Sequence, residues 1–121
     1  MTRYLISFTE DSVTFAAEDL RQVVTDAAEV TAAAKDAGVW LFGGGPKGYD
    51  TMVVEPDGTL IASYALITAN LAGFTIIDVD SPADAYEWAH RIAVACRCAQ
   101  EVRELLDDPT QRHGVDQAVQ D

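Results

Sequence analysis

The stretch from Gly73 to Arg91 constrains the fold of this chain more than any other. Phe74, Ile76, Ile77 and Val79 form a run rich in β-branched and aromatic residues, the pattern of a strand. Ser81 then offers an N-cap oxygen, and Pro82 takes the first helical position, where its missing N–H costs nothing. Asp84, three residues past the cap, suits the positive helix start. The pattern predicts a helix from Pro82 to about Val94 that buries Ala85, Trp88, Ala89 and Ile92. In the strand before it, Phe74 and Ile76 point to one side and Ile77 and Val79 to the other. Both faces of that strand are apolar, so both need a cover.

The rest of the chain falls into shorter elements. Arg3 to Thr9 alternates, with Tyr4, Ile6 and Phe8 on one side, as a half-buried strand does. Ala16 to Ala37 predicts the longest helix, with an apolar stripe of Leu20, Val23, Val24, Ala27, Val30, Thr31 and Ala34 and a stop at Gly38. Its alanines suit a close approach to a sheet. Val39 to Phe42 is a short strand broken by the glycines that follow. Thr51 to Glu55 and Thr59 to Ile61 flank the turn Pro56-Asp57-Gly58, a hairpin signal. Ser63 to Asn70 fits either an extended strand or a helical turn. A last strand runs from about Ala99 to Leu105, and from Asp107 the chain is a polar tail, with one helical turn expected at Val115 to Val119.

The order β-α-β-β-α-β with an added hairpin arm predicts an α+β, ferredoxin-like antiparallel sheet with both helices on one face. The domain is expected to span residues 1–106 and the tail 107–121. Two helices on one face leave the other face open, and a second copy of the sheet is the simplest cover. The expectation is a homodimer.

Charge and composition exclude several classes. Eight Lys and Arg stand against 20 Asp and Glu, a net charge of −12, and the basic residues are scattered. A phosphate backbone is repelled by such a field, so nucleic acid is not an expected partner. No run of apolar residues is long enough for a membrane span, and the N-terminal residues lack a signal-peptide pattern, so the expected location is the cytoplasm. Cys96 and Cys98 lack the spacing of a zinc or redox motif and are expected to be ordinary reduced thiols; no metal or cofactor is expected.

Ala72 to Ser81, followed by Ala85-Tyr86-Glu87-Trp88-Ala89, resembles the YCII-related domain family, in particular its DGPF branch. Ala37-Gly38-Val39, the Gly-rich stretch and Glu101-Val102-Arg103 fit the same pattern in order, so the resemblance covers about residues 1–106. It implies a dimeric α+β barrel, small bacterial proteins and mostly unassigned functions. One departure matters. The branch's Asp-Gly-Pro-Phe signature falls on Ile61-Ala62-Ser63-Tyr64, which keeps only the aromatic in kind, and its following Lys falls on Thr68. No His lies near the first strand or the hairpin. The acid–base site that the resemblance implies is therefore not intact.

Each candidate site has two readings. Gly43 to Gly48 is a phosphate cradle or a flexible turn; the chain continues into a strand rather than a helix, which favours the turn. Asp78 and Asp80 share a side of their strand and are either a paired-carboxylate site or solvated strand-end groups. His90 is an acid–base group or a helix-surface residue, and His113 lies in the tail. Tyr4, Tyr64 and Phe74 line a small-molecule cavity or belong to a dimer core. Lys47, Tyr49, Ser63 and Asn70 are candidates for polar contacts at its mouth. The favoured reading is a small-molecule-binding homodimer, with Tyr4, Tyr64, Phe74, Asp78 and His90 as candidate ligand contacts. The alternatives are a proton-transfer enzyme of the isomerase, lyase or dehydrohalogenase kind, acting on a small aromatic or carbonyl compound, and a partner protein with no pocket.

Overall fold

The computed structural model describes residues 1–47, 51–62 and 70–111. Within them the chain is α+β: two helices, a four-stranded antiparallel sheet and a separate two-stranded ribbon. The main sheet holds β1 (Thr2–Thr9), β2 (Trp40–Gly44), β5 (Leu71–Val79) and β6 (Glu101–Glu104) in the order β2-β5-β1-β6. The ribbon pairs β3 (Val53–Val54) with β4 (Leu60–Ile61). Its turn is set by Pro56 and Asp57. The Thr59 N–H donates to Asp57 Oδ1 at 2.9 Å, and Gly58 takes the left-handed φ of +91° that a bulkier residue resists.

The strand–cap–helix unit forms as the sequence dictates. Helix α2 (Pro82–Cys96) starts at Ser81, whose hydroxyl oxygen accepts the Asp84 N–H at 3.2 Å. The helix runs two residues past Val94 and stops at Arg97, which adopts the left-handed conformation at φ 57°. Helix α1 (Leu20–Asp36) begins four residues later than the periodicity suggests, because a 3-10 turn at Ala17–Asp19 takes up its entry. Its end is the expected one. Gly38 sits at φ +76°, and the Val39 N–H reaches back to the Ala34 carbonyl at 3.1 Å. Leu20 and Val24 are exposed, and the buried stripe narrows to Val23 and Ala34 with Ala27, Val30 and Thr31 half-exposed around them.

Side-chain alternation gives the sheet two different faces. Tyr4, Ile6, Ile77 and Val79 turn towards the helices and pack with Ala85 and Ala89 into the core, with Val39, Trp88, Ile92 and Val102 around it. Leu5, Ile76 and Phe74 turn the other way, as the register of Leu5 on Ile76 and Ser7 on Phe74 requires. Two bulges interrupt the ladders of β5. Between Trp40 and Phe42, β2 advances two residues while its partners Ile77 and Ile76 are adjacent, so Leu41 is the extra residue. A regular strand would put Trp40 and Phe42 on one face. The bulge sends the Trp40 indole to the helix side and Phe42 to the open side, where its ring lies 5.9 Å from that of Phe74.

Candidate functional site

Helix α1 packs chiefly against α2, and its main contact with the sheet is at the edge strand β2. Between those contacts the sheet and helices do not close. They leave a cavity of about 380 Å³. This is a volume in the range of small-molecule sites, roughly 300–1,000 Å³. Helix α1 contributes Ala27, Val30, Thr31 and Ala34; α2 contributes Trp88, Ile92 and Cys96. The floor is the helix-facing side of the sheet, with Phe8, Gly73, Thr75 and Ile77, and the β2 wall holds Trp40 and Gly43. Gly44 and Gly45 border the cavity and are exposed, so this wall reaches solvent. The alanines of α1 therefore serve space rather than close contact with the sheet.

Two of the walls depend on glycine. Phe8 and Gly73 are cross-strand partners, and the far edge of the Phe8 ring stands over the glycine. A Cβ at Gly73 would stand 2.6 Å from the ring. The Trp40 indole folds back over Gly43 in the same way; a Cβ there would meet the indole at 2.7 Å and the Phe74 carbonyl oxygen at 2.8 Å.

The electrostatics of the cavity are simple. Among the described residues that line it, none is Asp, Glu, Lys, Arg or His, and the one ionisable group is the Cys96 thiol. Burial, with Cys98 adding to it, pushes that thiol above its ordinary value, so it is protonated at neutral pH. The two indoles are each approached by a cation: Lys35 Nζ lies 5.7 Å from the Trp40 ring centre, and the Arg91 guanidinium 4.2 Å from that of Trp88. The polar side-chain groups carried by the lining residues are the Thr31 and Thr75 hydroxyls, the Trp40 and Trp88 indole N–H groups and the thiol.

The residues singled out from the sequence are dispersed. Tyr4 is 3% exposed in the core, and its hydroxyl donates to Glu104 Oε1 at 3.2 Å; burial and Glu104 raise its pKa. Phe74 borders the cavity, but its register directs the ring to the opposite face of the sheet. Asp78 is also on that opposite face, 3.8 Å from Arg3 in an ion pair, and Asp80 is exposed beyond the strand end. The two carboxylates thus have different surroundings. His90 is exposed on α2, beside a shallow depression with Tyr86 and Gln100. Lys47 is exposed, and Asn70 donates to Glu10 Oε2 at 2.8 Å away from the cavity. Tyr49, Ser63, Tyr64 and His113 lie outside the described residues, as do the ambiguous stretch 63–69 and the expected helical turn at 115–119. Cys96 and Cys98 are free, and among the described residues no three of His, Cys, Asp and Glu converge as metal ligands.

Phe8, Trp40, Trp88, Thr31 and Cys96 are among the lining residues that sequence patterning does not assign to a site. Composition alone could have drawn attention to two of them, since the chain has two tryptophans and both line this cavity. No helix among the described residues is long and apolar enough to cross a membrane. No protein-family model matches the chain, and no curated protein matches it.

Proposed function

We propose that this protein binds a small molecule in the cavity between its helices and its sheet. The observation that carries the reading is the cavity itself. A cavity of about 380 Å³ walled chiefly by apolar groups leaves the dispersion contacts of those walls unmade. A chain of 121 residues, 49% of them hydrophobic, has enough apolar side chains to fill such a space, and a ligand recovers those contacts. The sheet order and the two helices on one face fit a ferredoxin-like plan, and the Gly73-Phe74 to Trp88 stretch supports a YCII-related ancestry. In that reading two copies meet through the open face of the sheet, where Leu5, Phe42, Phe74 and Ile76 lie. Proton-transfer catalysis is the weaker reading, since Cys96 is the one ionisable side chain among the described lining residues and burial keeps it protonated.

A thermal-shift screen of small metabolites tests the proposal, run in parallel on the wild type and on Ala27→Phe. The variant places a ring in the cavity from the α1 wall. A ligand present at ~100 times its Kd raises the wild-type midpoint by roughly 10 °C and leaves the filled variant unmoved. Ligands that shift both proteins alike, or no shift from any compound, would sink the proposal.

A further inference from the structure

We propose that the ligand of this cavity is an uncharged aromatic compound, stacked among Phe8, Trp40 and Trp88, with at most a hydroxyl or carbonyl as its polar group. The inference rests on the binding reading above and adds the chemical class.

Charge is decided by what surrounds the space. An anion finds no cationic side chain among the described lining residues, and it would enter against a net charge of −12. A cation fares no better. Two indoles around one space resemble the aromatic cages that hold ammonium groups. Here, however, Lys35 already stands over Trp40 and Arg91 over Trp88. Each indole thus already has one of the protein's own cations beside it, whose charge repels a second, and no carboxylate among the described lining residues offers a counter-ion. Either ion would give up water for a wall without an opposite charge among its described side chains.

Shape decides the rest. Three aromatic side chains reach the space from three elements: Phe8 from β1, Trp40 from β2 and Trp88 from α2. Two of them stand close against glycines, Phe8 at Gly73 and Trp40 at Gly43. Aromatic walls reward a planar aromatic partner through offset and edge-to-face contacts. Small side chains on α1, Ala27 and Ala34, give that partner room. The Thr31 and Thr75 hydroxyls can pair with one neutral polar group.

The two tryptophans make the test direct, since the indole N–H groups of this chain give two resonances and both belong to the cavity. The full chain is titrated at neutral pH with naphthol, naphthoate, naphthylmethylammonium and decahydronaphthol, following N–H correlation spectra. The expected result is that naphthol moves both indole resonances. It binds tenfold or more tightly than either charged analogue and about fivefold more tightly than the saturated alcohol. The Ala27→Phe variant loses these shifts. Binding of a charged analogue or the saturated alcohol as tightly as naphthol, still blocked by Ala27→Phe, overturns the chemical class and leaves the binding reading intact. Silence of both resonances with all four probes overturns the class and the binding reading together.

Discussion

Gly43 and Gly73 show how much a single missing methyl group decides in this molecule. Neither has a positive φ, so their role is steric. At Gly73 the obstacle to a Cβ is the far edge of the Phe8 ring, and the cavity beside it gives the ring somewhere to go. At Gly43 one obstacle is the Phe74 carbonyl oxygen, fixed in the β2–β5 ladder. Gly43→Ala is therefore expected to cost about 1–3 kcal/mol, as overpacking does, and Gly73→Ala less. Chemical denaturation of the two variants checks the order; equal costs, or the reverse order, contradict this account of the walls. Gly73→Ala also drives the Phe8 ring into the space a ligand needs, so it weakens binding more than its small loss of stability suggests.

At the scale of elements, the two helices are tied together by a charged link at their far end. Arg97 ends α2 in a left-handed conformation that costs a non-glycine residue roughly 1 kcal/mol. Its guanidinium donates to the Ala95 carbonyl and pairs with Asp26 Oδ2 of α1 at 2.8 Å. Gln22 also donates to Asp26, at 2.8 Å. Hydrogen bonds from Gln22 and from Arg97 hold the Asp26 carboxyl below its ordinary value of 3.8. A lowered folded-state pKa contributes stability above the unfolded value, and that contribution is lost as pH falls through the folded one. Asp26→Asn should thus lower the melting temperature at neutral pH, and the gap to wild type should close as pH drops below 3.8. A gap that persists unchanged in acid would show that the carboxylate charge is not what joins the helices.

The elements themselves were largely legible. The Ser81 cap, the proline at the helix start, the Gly38 stop and the alternation of β1 each act within a few residues, so local sequence encodes them. The cavity was not. It depends on α1 resting on α2 rather than on β5, and on a bulge at Leu41 that parts Trp40 from Phe42. Both are outcomes of packing between distant segments. Strand periodicity alone places Trp40 and Phe42 together, and it cannot separate an alanine that allows close contact from one that lines a void. Phe74 borders the cavity, while strand alternation turns its ring to the opposite face of the sheet.

At the scale of the whole molecule, the face of the sheet turned away from the helices bears on assembly; Leu5, Phe74 and Ile76 are half-buried on it. Phe42 is 59% exposed there, against Phe74 and beside Ile76 and Leu5. Arg3 and Asp78 pair at one end of this face, and Arg103 and Glu101 lie on β6 at its edge, 2.6 Å apart. An apolar centre with a charged rim is the make-up of an interface. Two copies bring together a net charge of 2 × (−12) = −24, so their association works against repulsion that salt screens. The proposed homodimer should therefore tighten as ionic strength rises, whereas an interface held by ion pairs would loosen. Phe42→Asp places a charge at the centre of the face without touching the core, because the side chain it replaces is already in solvent. Light scattering at micromolar concentration is expected to give twice the chain mass for the wild type and the single-chain mass for Phe42→Asp, with the far-ultraviolet circular dichroism of the two alike. A wild type that scatters as one chain at high salt would remove the dimer, and the four apolar side chains would then need another cover. Persistence of the dimer in Phe42→Asp would move the interface off this face, since a carboxylate buried between two sheets without a partner costs more than the contact of one ring returns.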